Sequence, residues 1–320
     1  MPALLENQRD LVAEILRLKE ERRAVILAHN YQRPEIQEIA DFVGDSLGLS
    51  RKAQGTDAGV IVFCGVHFMA ETASILNPAK KVLLPDPLAG CSMADMISVD
   101  ALLDLKEKHP GALVVSYVNT TADIKAESDI CCTSSNARQV VESLPADREV
   151  IFVPDKYLGA WVQRQTGRRM VLYEGWCPIH MEIREYGVDI LKKEHPQAWL
   201  VAHPEAPVEI STRAEIVTST EGMIRACREA PAREFIIATE TGILHKLRRE
   251  CPDKAFYAAN ELAVCPHMKR DDLGKVRDAL RDLKPEVKVP ESIRERAWKP
   301  IQRMLDLDLP YSENFVGCKC

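Results

Sequence analysis

The sequence lacks the features that mark membrane, secreted and nucleic-acid-binding proteins. It contains no apolar run approaching the about 18 residues of a membrane span, and its N-terminus, MPALLENQRD, has no apolar signal-peptide core. Concentrated basic stretches are also missing, and the net charge of −6 argues against a nucleic-acid or anionic-membrane surface. We therefore expect a cytoplasmic globular protein with neither nucleic acid nor membrane as a partner.

Compact cysteine motifs are absent as well, although the chain has ten cysteines. No C-x-x-C pair occurs, which argues against a zinc-ribbon site. In a reducing compartment the cysteines should not form a disulfide framework, and most should be small buried core residues. Four of them are interpreted in this way: Cys64, Cys131, Cys132 and Cys227. A metal site must therefore collect its ligands from distant parts of the chain.

Nine short apolar runs are present, and a helix-like stretch follows each of them. They are AVILAH (24–29), GVIVFCG (59–65), KVLLPD (81–86), ALVVSYV (112–118), EVIFVPD (149–155), RMVLYEG (169–175), AWLVAH (198–203), EFIIATE (234–240) and KAFYAAN (254–260). Continuous apolar runs between helices are typical of parallel strands that are buried on both faces. The pattern predicts an α/β fold.

The nine predicted strands fall into three groups of three, which indicates a repeat of roughly 85 residues, a size within the usual range of a domain. The expected organisation is an N-terminal helix (1–23), three αβα sandwich repeats (24–108, 109–194 and 195–275) and a C-terminal helical segment with a cysteine-containing tail (276–320).

Polar residues recur in phase within these repeats. The first strand of each group ends at His29, Tyr117 and His203, which are 88 and 86 residues apart. Equivalent positions further along each repeat hold Tyr31, Asn119 and Glu205, then the hydroxyls of Ser46, Ser134 and Thr220, and then Cys91, Cys177 and Cys265. Both the hydroxyls and the cysteines therefore recur three times.

This phase predicts where a ligand binds, because parallel α/β sheets bind ligands at the carboxyl ends of their strands. Three like units around a pseudo-threefold axis would bring all the marked positions to one central cavity, with the cysteines as a triangle at one end. The three hydroxyls precede helical patterns, and helix N-termini bind phosphate or carboxylate groups. For each hydroxyl taken alone, an ordinary N-cap is the simpler interpretation.

Three thiolates without a fourth protein ligand suit either zinc with an open position or a [4Fe–4S] cluster with one iron left open. Spacing does not decide between them. An open metal can act as a Lewis acid on a hydroxyl or carbonyl group. His180, three residues after Cys177, is interpreted either as a donor or proton shuttle in the cavity or as a supporting residue outside it.

Nine motifs together resemble the quinolinate synthase family of de novo NAD biosynthesis. They are ILAHNYQ (26–32), GDSL (44–47), PDPLAGCSMAD (85–95), SYVNT (116–120), CTSSNA (132–137), PDKYLG (154–159), GWCPIH (175–180), AHPE (202–205) and ATETGI (238–243). The resemblance implies three αβα domains around a pseudo-threefold axis and a [4Fe–4S] cluster. It also implies a transferase-type synthase that condenses iminoaspartate with dihydroxyacetone phosphate to give quinolinate, phosphate and water, and coupling to an aspartate-oxidising enzyme.

The resemblance assigns roles to residues that the repeat had already marked. Cluster ligands are Cys91, Cys177 and Cys265. Substrate-binding residues are His29, Ser46, Tyr117, Asn119, Ser134, His203, Glu205 and Thr220, and we add His180 because it lies three residues after Cys177. Acid–base residues are Tyr31, Tyr117, His203 and Glu205.

The third cluster ligand has competitors. The segment around Cys265 has no neighbouring C-x-x-C, which some relatives carry there, so Cys251, Cys318 and Cys320 are alternative ligands. We favour Cys265 because it is in phase with Cys91 and Cys177.

Two other functions stay open. A zinc-dependent lyase or hydrolase could use the same three thiolates. An iron–sulfur redox sensor could use Cys131 with Cys132, or Cys318 with Cys320, as its switch. The sequence contains no effector module that would favour the sensor.

Overall fold

The structure is a computed structural model and describes residues 6–307. Its first part consists of α1 (Glu6–Glu21), β1 (Ala24–His29), α2 (Pro34–Ile39), β2 (Phe42–Gly44), α3 (Ser46–Gly55), β3 (Val60–Cys64), α4 (His67–Leu76), β4 (Lys81–Leu83) and a 3-10 helix (Ala94–Met96). The described part of the chain contains no helix that is both long and apolar enough to cross a membrane.

The second part follows the same order of elements. It consists of α5 (Val99–Lys108), β5 (Leu113–Tyr117), α6 (Ala122–Ala126), β6 (Ile130–Cys132), α7 (Ala137–Ser143), β7 (Val150–Val153), α8 (Lys156–Thr166), β8 (Val171–Leu172) and α9 (Pro178–Met181).

The third part repeats the order once more and ends in two helices. It consists of α10 (Glu185–Glu194), β9 (Trp199–Ala202), α11 (Val208–Ser211), β10 (Ile216–Val217), α12 (Thr220–Glu229), β11 (Glu234–Ala238), α13 (Ile243–Glu250), β12 (Ala255–Ala258), a 3-10 helix (Met268–Arg270), α14 (Leu273–Asp282) and α15 (Glu291–Asp306).

The strands form three separate parallel sheets of identical topology. Their strand orders are β2-β1-β3-β4, β6-β5-β7-β8 and β10-β9-β11-β12. In each sheet the two central strands are buried apolar segments, as in AVILAH and VIVFC of the first sheet. The α/β class and the three flanked parallel sheets predicted from the sequence are confirmed.

Each sheet has four strands where the sequence predicted three. The additional strands β2, β6 and β10 have only two or three residues. A carboxylate just before each of them accepts a backbone N–H from the first strand, always from a residue 15 positions earlier. The three bonds run from Ile26 to Asp41 (2.8 Å), from Val114 to Asp129 (2.8 Å) and from Leu200 to Glu215 (2.5 Å).

The chain divides into two compact units. One contains the chain up to Cys91 together with Cys265–Arg294, and the other contains Ser92–Val264 together with the chain from Glu295 onward. This division differs from the repeat boundaries because the helix after each phased cysteine covers a different sheet from the strands before it. Thus α5 packs near the β5 sheet, α10 on the β9 sheet and α14 on the β1 sheet.

The two ends of the described chain cover different surfaces. The N-terminal helix α1 lies within the predicted range and packs against α14, with Ile15 and Leu18 in the core of the first unit. α15 belongs to the second unit from Glu295 onward, where Arg296 binds Glu127 and Arg303 donates to the Asp129 carbonyl.

Candidate functional site

The phased residues lie where the first strands of the sheets end. His29 is the last residue of β1, Tyr117 is the last residue of β5, and His203 directly follows β9. The turns after the two histidines are alike, because the N–H of Tyr31 donates to His29 Nδ1 (3.2 Å) and the N–H of Glu205 donates to His203 Nδ1 (3.3 Å). A neutral ring with an accepting Nδ1 carries its proton on Nε2. Both histidines therefore offer an N–H donor at Nε2.

In the first unit the structure places His29 beside Tyr31, and both are buried. Their rings meet edge to face with centroids 4.7 Å apart. Ser46 is the first residue of α3, but Asp45 caps that helix by accepting the N–H of Gly48 at 2.8 Å. The N-cap interpretation of Ser46 is therefore wrong.

The hydroxyls of the second unit differ from one another. Thr220 is the first residue of α12, and Ser219 caps that helix by accepting the N–H of Gly222 at 3.3 Å. Thr220 is therefore not the cap either. Ser134 lies in the turn before α7, and its Oγ is 3.2 Å from Nε2 of His203.

Four buried side chains of the second unit form a continuous series of close polar contacts. The hydroxyl of Tyr117 donates to Glu205 Oε1 (2.5 Å), Nδ1 of His180 lies 3.0 Å from Glu205 Oε2, and Nε2 of His180 lies 2.8 Å from the hydroxyl of Thr239. Both ring nitrogens of His180 thus face protein groups. This favours its interpretation as support for Glu205, and substrate binding by His180 stays a prediction.

Burial and hydrogen bonding set the charges of these side chains. Burial lowers the pKa of His203 to about 4, so this imidazole is neutral at neutral pH. Burial alone would raise the pKa of Glu205, but the neighbouring His180 and His203 and the hydrogen bonds from His180 and Tyr117 lower it to about 2. The rings of His180 and His203 are stacked, with centroids 5.0 Å apart. The site therefore holds a carboxylate beside a neutral imidazole.

Asn119 follows Tyr117 by two residues and offers an unused acceptor. Its Oδ1 is buried and has no hydrogen-bond partner among residues 8–307, whose side chains the structure describes. A buried amide oxygen without a partner costs free energy. A ligand that donates a hydrogen bond would satisfy it.

The cysteines differ in burial in a way that matches their phase. Of the eight that the structure describes, the three half-buried ones are Cys91, Cys177 and Cys265, and the five buried ones are Cys64, Cys131, Cys132, Cys227 and Cys251. Burial raises the pKa of Cys131 to about 11 and that of Cys227 to about 12, which makes these thiols unreactive. The core interpretation of Cys64, Cys131, Cys132 and Cys227 is confirmed.

The same burial weighs against two alternatives. Cys251 is buried at the end of α13, which disfavours it as a competitor of Cys265. Cys131 and Cys132 lie inside β6, which disfavours them as the switch of a redox sensor. Cys318 and Cys320 lie outside the described residues.

A repeated backbone bond explains the phase of the three cysteines. Directly after the third strand of each sheet in chain order, a backbone N–H donates to the carbonyl two residues before the cysteine. The bonds run from His67 to Ala89 (2.7 Å), from Lys156 to Gly175 (2.9 Å) and from Thr241 to Ala263 (3.0 Å). Each phased cysteine therefore lies two residues after a backbone hydrogen bond that is equivalent in the three sheets.

Two buried residues near these positions were missed by the sequence analysis. Thr239, described above, bonds to His180. Asp155 follows β7 by two residues and caps α8, where it accepts the N–H of Leu158 at 2.6 Å. It also accepts the N–H of Cys177, and its pKa is raised by burial and by Glu205. Asp155 lies in the PDKYLG motif and Thr239 in the ATETGI motif, and membership of these motifs could have drawn attention to both residues.

One group of side chains in the second unit could hold a metal ion. Donor atoms of Cys177, His180 and Glu205 lie within 4.8 Å of one another. Thiolate, imidazole and carboxylate are the ligands of transition metals. A pocket of about 460 Å³ in the same unit contains none of the predicted site residues; it is lined by Met96, Leu105, Leu172, Tyr173, Glu174 and Trp176.

Comparison with known proteins adds to this geometry. The sequence profile of the family described as "Quinolinate synthetase A protein" matches residues 13–306. The chain belongs to the quinolinate synthetase A family. The resemblance of the nine motifs to this family is thereby confirmed.

Individual members of the quinolinate synthetase A family are similar along nearly their whole length. A quinolinate synthase of Desulforudis audaxviator is 54% identical over 298 residues, which cover 93% of this chain and 98% of the relative. One from Geobacter metallireducens is 55% identical over 292 residues, covering 91% and 96%. One from Thermus thermophilus is 54% identical over 300 residues, covering 92% and 96%.

Proposed function

We propose that this chain condenses iminoaspartate with dihydroxyacetone phosphate to form quinolinate, phosphate and water. The observation that carries the proposal is the identity above 50% to quinolinate synthases over more than nine-tenths of the chain. The buried series of polar contacts from Tyr117 to Thr239 supports it, because condensation and dehydration need positioned acid–base groups.

We assign Cys91, Cys177 and Cys265 as the ligands of a [4Fe–4S] cluster. Three observations support a fit: these thiols are half-buried while the other described thiols are buried, each follows an equivalent backbone hydrogen bond, and thiolates are the usual ligands of such clusters. A cluster held by three thiolates supplies one open iron, which can act as a Lewis acid on a C–O bond.

We further propose that the three repeats surround a pseudo-threefold axis with the active site in a central cavity. Two observations support this: the three sheets have the same strand order, and the helix after each phased cysteine covers the next sheet in a cyclic sequence. The domain limits inferred from the sequence, 24–108, 109–194 and 195–275, are kept as the limits of the repeats.

Proton transfer is assigned to Glu205 and Tyr31, with Tyr117 and His203 as further acid–base groups. Glu205 is held ionised in a buried position, so its carboxylate accepts the hydrogen bond of the Tyr117 hydroxyl and is available as a proton acceptor for an acidic group of the substrate. The neutral His203 presents an N–H at Nε2, which suits a carbonyl or carboxylate oxygen of the substrate.

Substrate oxygens are assigned to the phased polar groups. The N–H donors of His29 and His203 and the hydroxyls of Ser46, Ser134 and Thr220 suit carboxylate and phosphate, whereas Asn119 Oδ1 accepts from a donor such as an imine N–H. Both helix starts carry a carboxylate, Asp45 as the cap of α3 and Glu221 in the first turn of α12. Lys246 pairs with Glu221 at 2.7 Å and offsets its charge, so the N-terminus of α12 is the assigned phosphate site.

A partner reaction follows from the substrate. Iminoaspartate is an imine that water hydrolyses, so a nearby reaction must supply it by two-electron oxidation of aspartate. We propose functional coupling to an aspartate-oxidising enzyme on this chemical ground.

The proposal is tested by anaerobic purification, iron, sulfide and zinc analysis, and an assay for quinolinate from the two substrates. Iron and sulfide in equal amounts with quinolinate formation support it. Zinc without sulfide would instead support the zinc-dependent lyase or hydrolase that uses the same three thiolates. A cluster-containing chain that forms no quinolinate contradicts the proposed reaction.

A further inference from the structure

The loop that carries Tyr31 is fastened to the segment that follows Cys265, within one compact unit. Residues 31–33 lie between β1 and α2, and residues 269–271 follow Cys265 by four to six positions. The three hydrogen bonds run from Lys269 Nζ to the Tyr31 carbonyl, from Gln32 Nε2 to Asp271 Oδ2 (2.9 Å) and from Arg33 Nε to the Lys269 carbonyl (2.8 Å). Three consecutive loop residues are thus held by one short segment.

The central pair of this contact is fully buried. Neither Gln32 nor Asp271 has solvent-exposed surface. The amide of Gln37 supports the loop from the other side, because it donates to the carbonyls of Asn30 (3.2 Å) and Gln32 (2.9 Å). The hydrogen bond of a buried amide–carboxyl pair has to offset the free energy lost when both groups are removed from water.

The other two repeats have no polar pair at the positions that correspond to Gln32 and Asp271. The position of Gln32 corresponds to Thr120 and Ala206, and that of Asp271 corresponds to Ile97 and Ile183. These four residues are also buried, and Ala206 and Ile183 belong to one apolar core. The polar pair is therefore particular to the loop that carries Tyr31, although an apolar contact is compatible with the same fold.

We propose that Gln32 and Asp271 are positioning residues that fix the Tyr31 loop relative to the segment carrying Cys265, so that metal binding at Cys265 and ordering of Tyr31 favour each other. The proposal rests on the proposed function in giving Tyr31 an acid–base role and Cys265 a ligand role. Because linkage is reciprocal, ordering of either segment stabilises the other.

Hydrogen exchange tests the positioning directly, without an activity measurement. The amide N–H groups of Tyr31 and Gln32 bond to His29, so their exchange reports opening of the loop. In the reconstituted chain, Asp271→Ile should accelerate their exchange about tenfold, the effect of losing roughly one hydrogen bond. Reconstitution should slow this exchange in the unsubstituted chain and much less in the variant.

Two further variants keep the test decisive. Gln32→Met breaks the same bond from the other side and serves if Asp271→Ile does not fold. Ile183→Val is the matched control, because it alters the equivalent position after Cys177 and should leave exchange at Tyr31 and Gln32 unchanged.

Kinetics separate positioning from general destabilisation. Asp271→Ile should lower kcat/KM about 10- to 100-fold, the range expected for misplacing a reacting group. Asp271→Asn keeps an oxygen acceptor for Gln32 and should recover activity to within about threefold. In a chain that already carries Tyr31→Phe, Asp271→Ile should lower kcat/KM little further, because the Asp271 substitution acts through Tyr31.

Unchanged exchange at Tyr31 and Gln32 in both Asp271→Ile and Gln32→Met would overturn the inference. Fully additive kinetic losses of Asp271→Ile and Tyr31→Phe would also overturn it. Failure of the unsubstituted chain to form quinolinate would instead count against the proposed function, and the exchange experiment would still decide the positioning.

Discussion

Tyr117 and Glu205 are 88 residues apart in sequence, and their side chains share a buried hydrogen bond of 2.5 Å. The bond joins the ends of strands from two different sheets in the same compact unit. His180 approaches the other carboxylate oxygen. Groups on both sides thus hold the carboxylate in its ionised form and fix its orientation.

Tyr117→Phe removes the hydroxyl that donates to Glu205. We expect kcat to fall about 100-fold, within the range for loss of an acid–base group, and stability to fall by about 1–3 kcal/mol, because a buried acceptor loses its partner. Steady-state kinetics and urea unfolding measure the two effects. Tyr257→Phe is the control, since Tyr257 stacks on His195 and is not among the predicted site residues. Equal activity of the two variants would contradict the role of Tyr117.

Gly175→Ala tests the packing that places Cys177. A Cβ at Gly175 would lie 2.4 Å from the carbonyl oxygen of Pro154, and that backbone has to move to admit it. We expect a loss of about 1–3 kcal/mol in unfolding free energy and a lower iron content after reconstitution. Gly59→Ala is the matched control, because nothing lies within 4 Å of the added Cβ. Normal iron binding by Gly175→Ala would show that Cys177 tolerates displacement.

Asp271→Asn should change the pH dependence of stability. Burial raises the pKa of Asp271 from 3.8 to about 8 in the folded chain. Between these values the folded chain keeps a proton that the unfolded chain has lost, so the stability of the unsubstituted chain falls as pH rises and levels off above about 8. The variant has no such group. Its free energy of unfolding, relative to that of the unsubstituted chain, should therefore rise by up to about 1.4 kcal/mol per pH unit in that window. Urea unfolding across the window measures this, and a constant difference would contradict it.

Thr220→Val tests the phosphate site at the start of α12. The variant keeps the shape of the side chain and removes its hydroxyl, while Ser219 still caps the helix. We expect KM for dihydroxyacetone phosphate to rise about tenfold, the effect of losing one hydrogen bond to a charged group. Thr212→Val is the control, because its hydroxyl bonds to the Val208 carbonyl of its own helix. Equal KM values for the two variants would place the phosphate elsewhere.

The sequence was sufficient for the longer strands and for the phase of the polar residues. AVILAH and VIVFC are continuous apolar segments, which predict buried parallel strands. The two- and three-residue strands β2, β6 and β10 were missed, because they are too short for any periodicity. Their in-phase carboxylates, Asp41, Asp129 and Glu215, were a repeat signal that could have located them.

The supporting residues of the site could not be predicted in the same way. Thr239 contacts His180 from 59 residues away, and Gln32 contacts Asp271 from 239 residues away. Neither contact is part of a local pattern, because each depends on how sheets and helices pack. The N-caps show the same limit on a smaller scale: Asp45 and Ser219, rather than the neighbouring Ser46 and Thr220, cap the helices.

The most direct test of the account is the iron and sulfide content of single cysteine variants prepared anaerobically. The unsubstituted chain should bind about four iron and about four sulfide per chain with the absorbance of a [4Fe–4S] cluster. Cys91→Ser, Cys177→Ser and Cys265→Ser should each lose both the cluster and quinolinate formation. Cys251→Ser, which alters a buried thiol, should retain both. A full cluster in any of the first three variants, or its loss in Cys251→Ser, would contradict the assignment of the ligands.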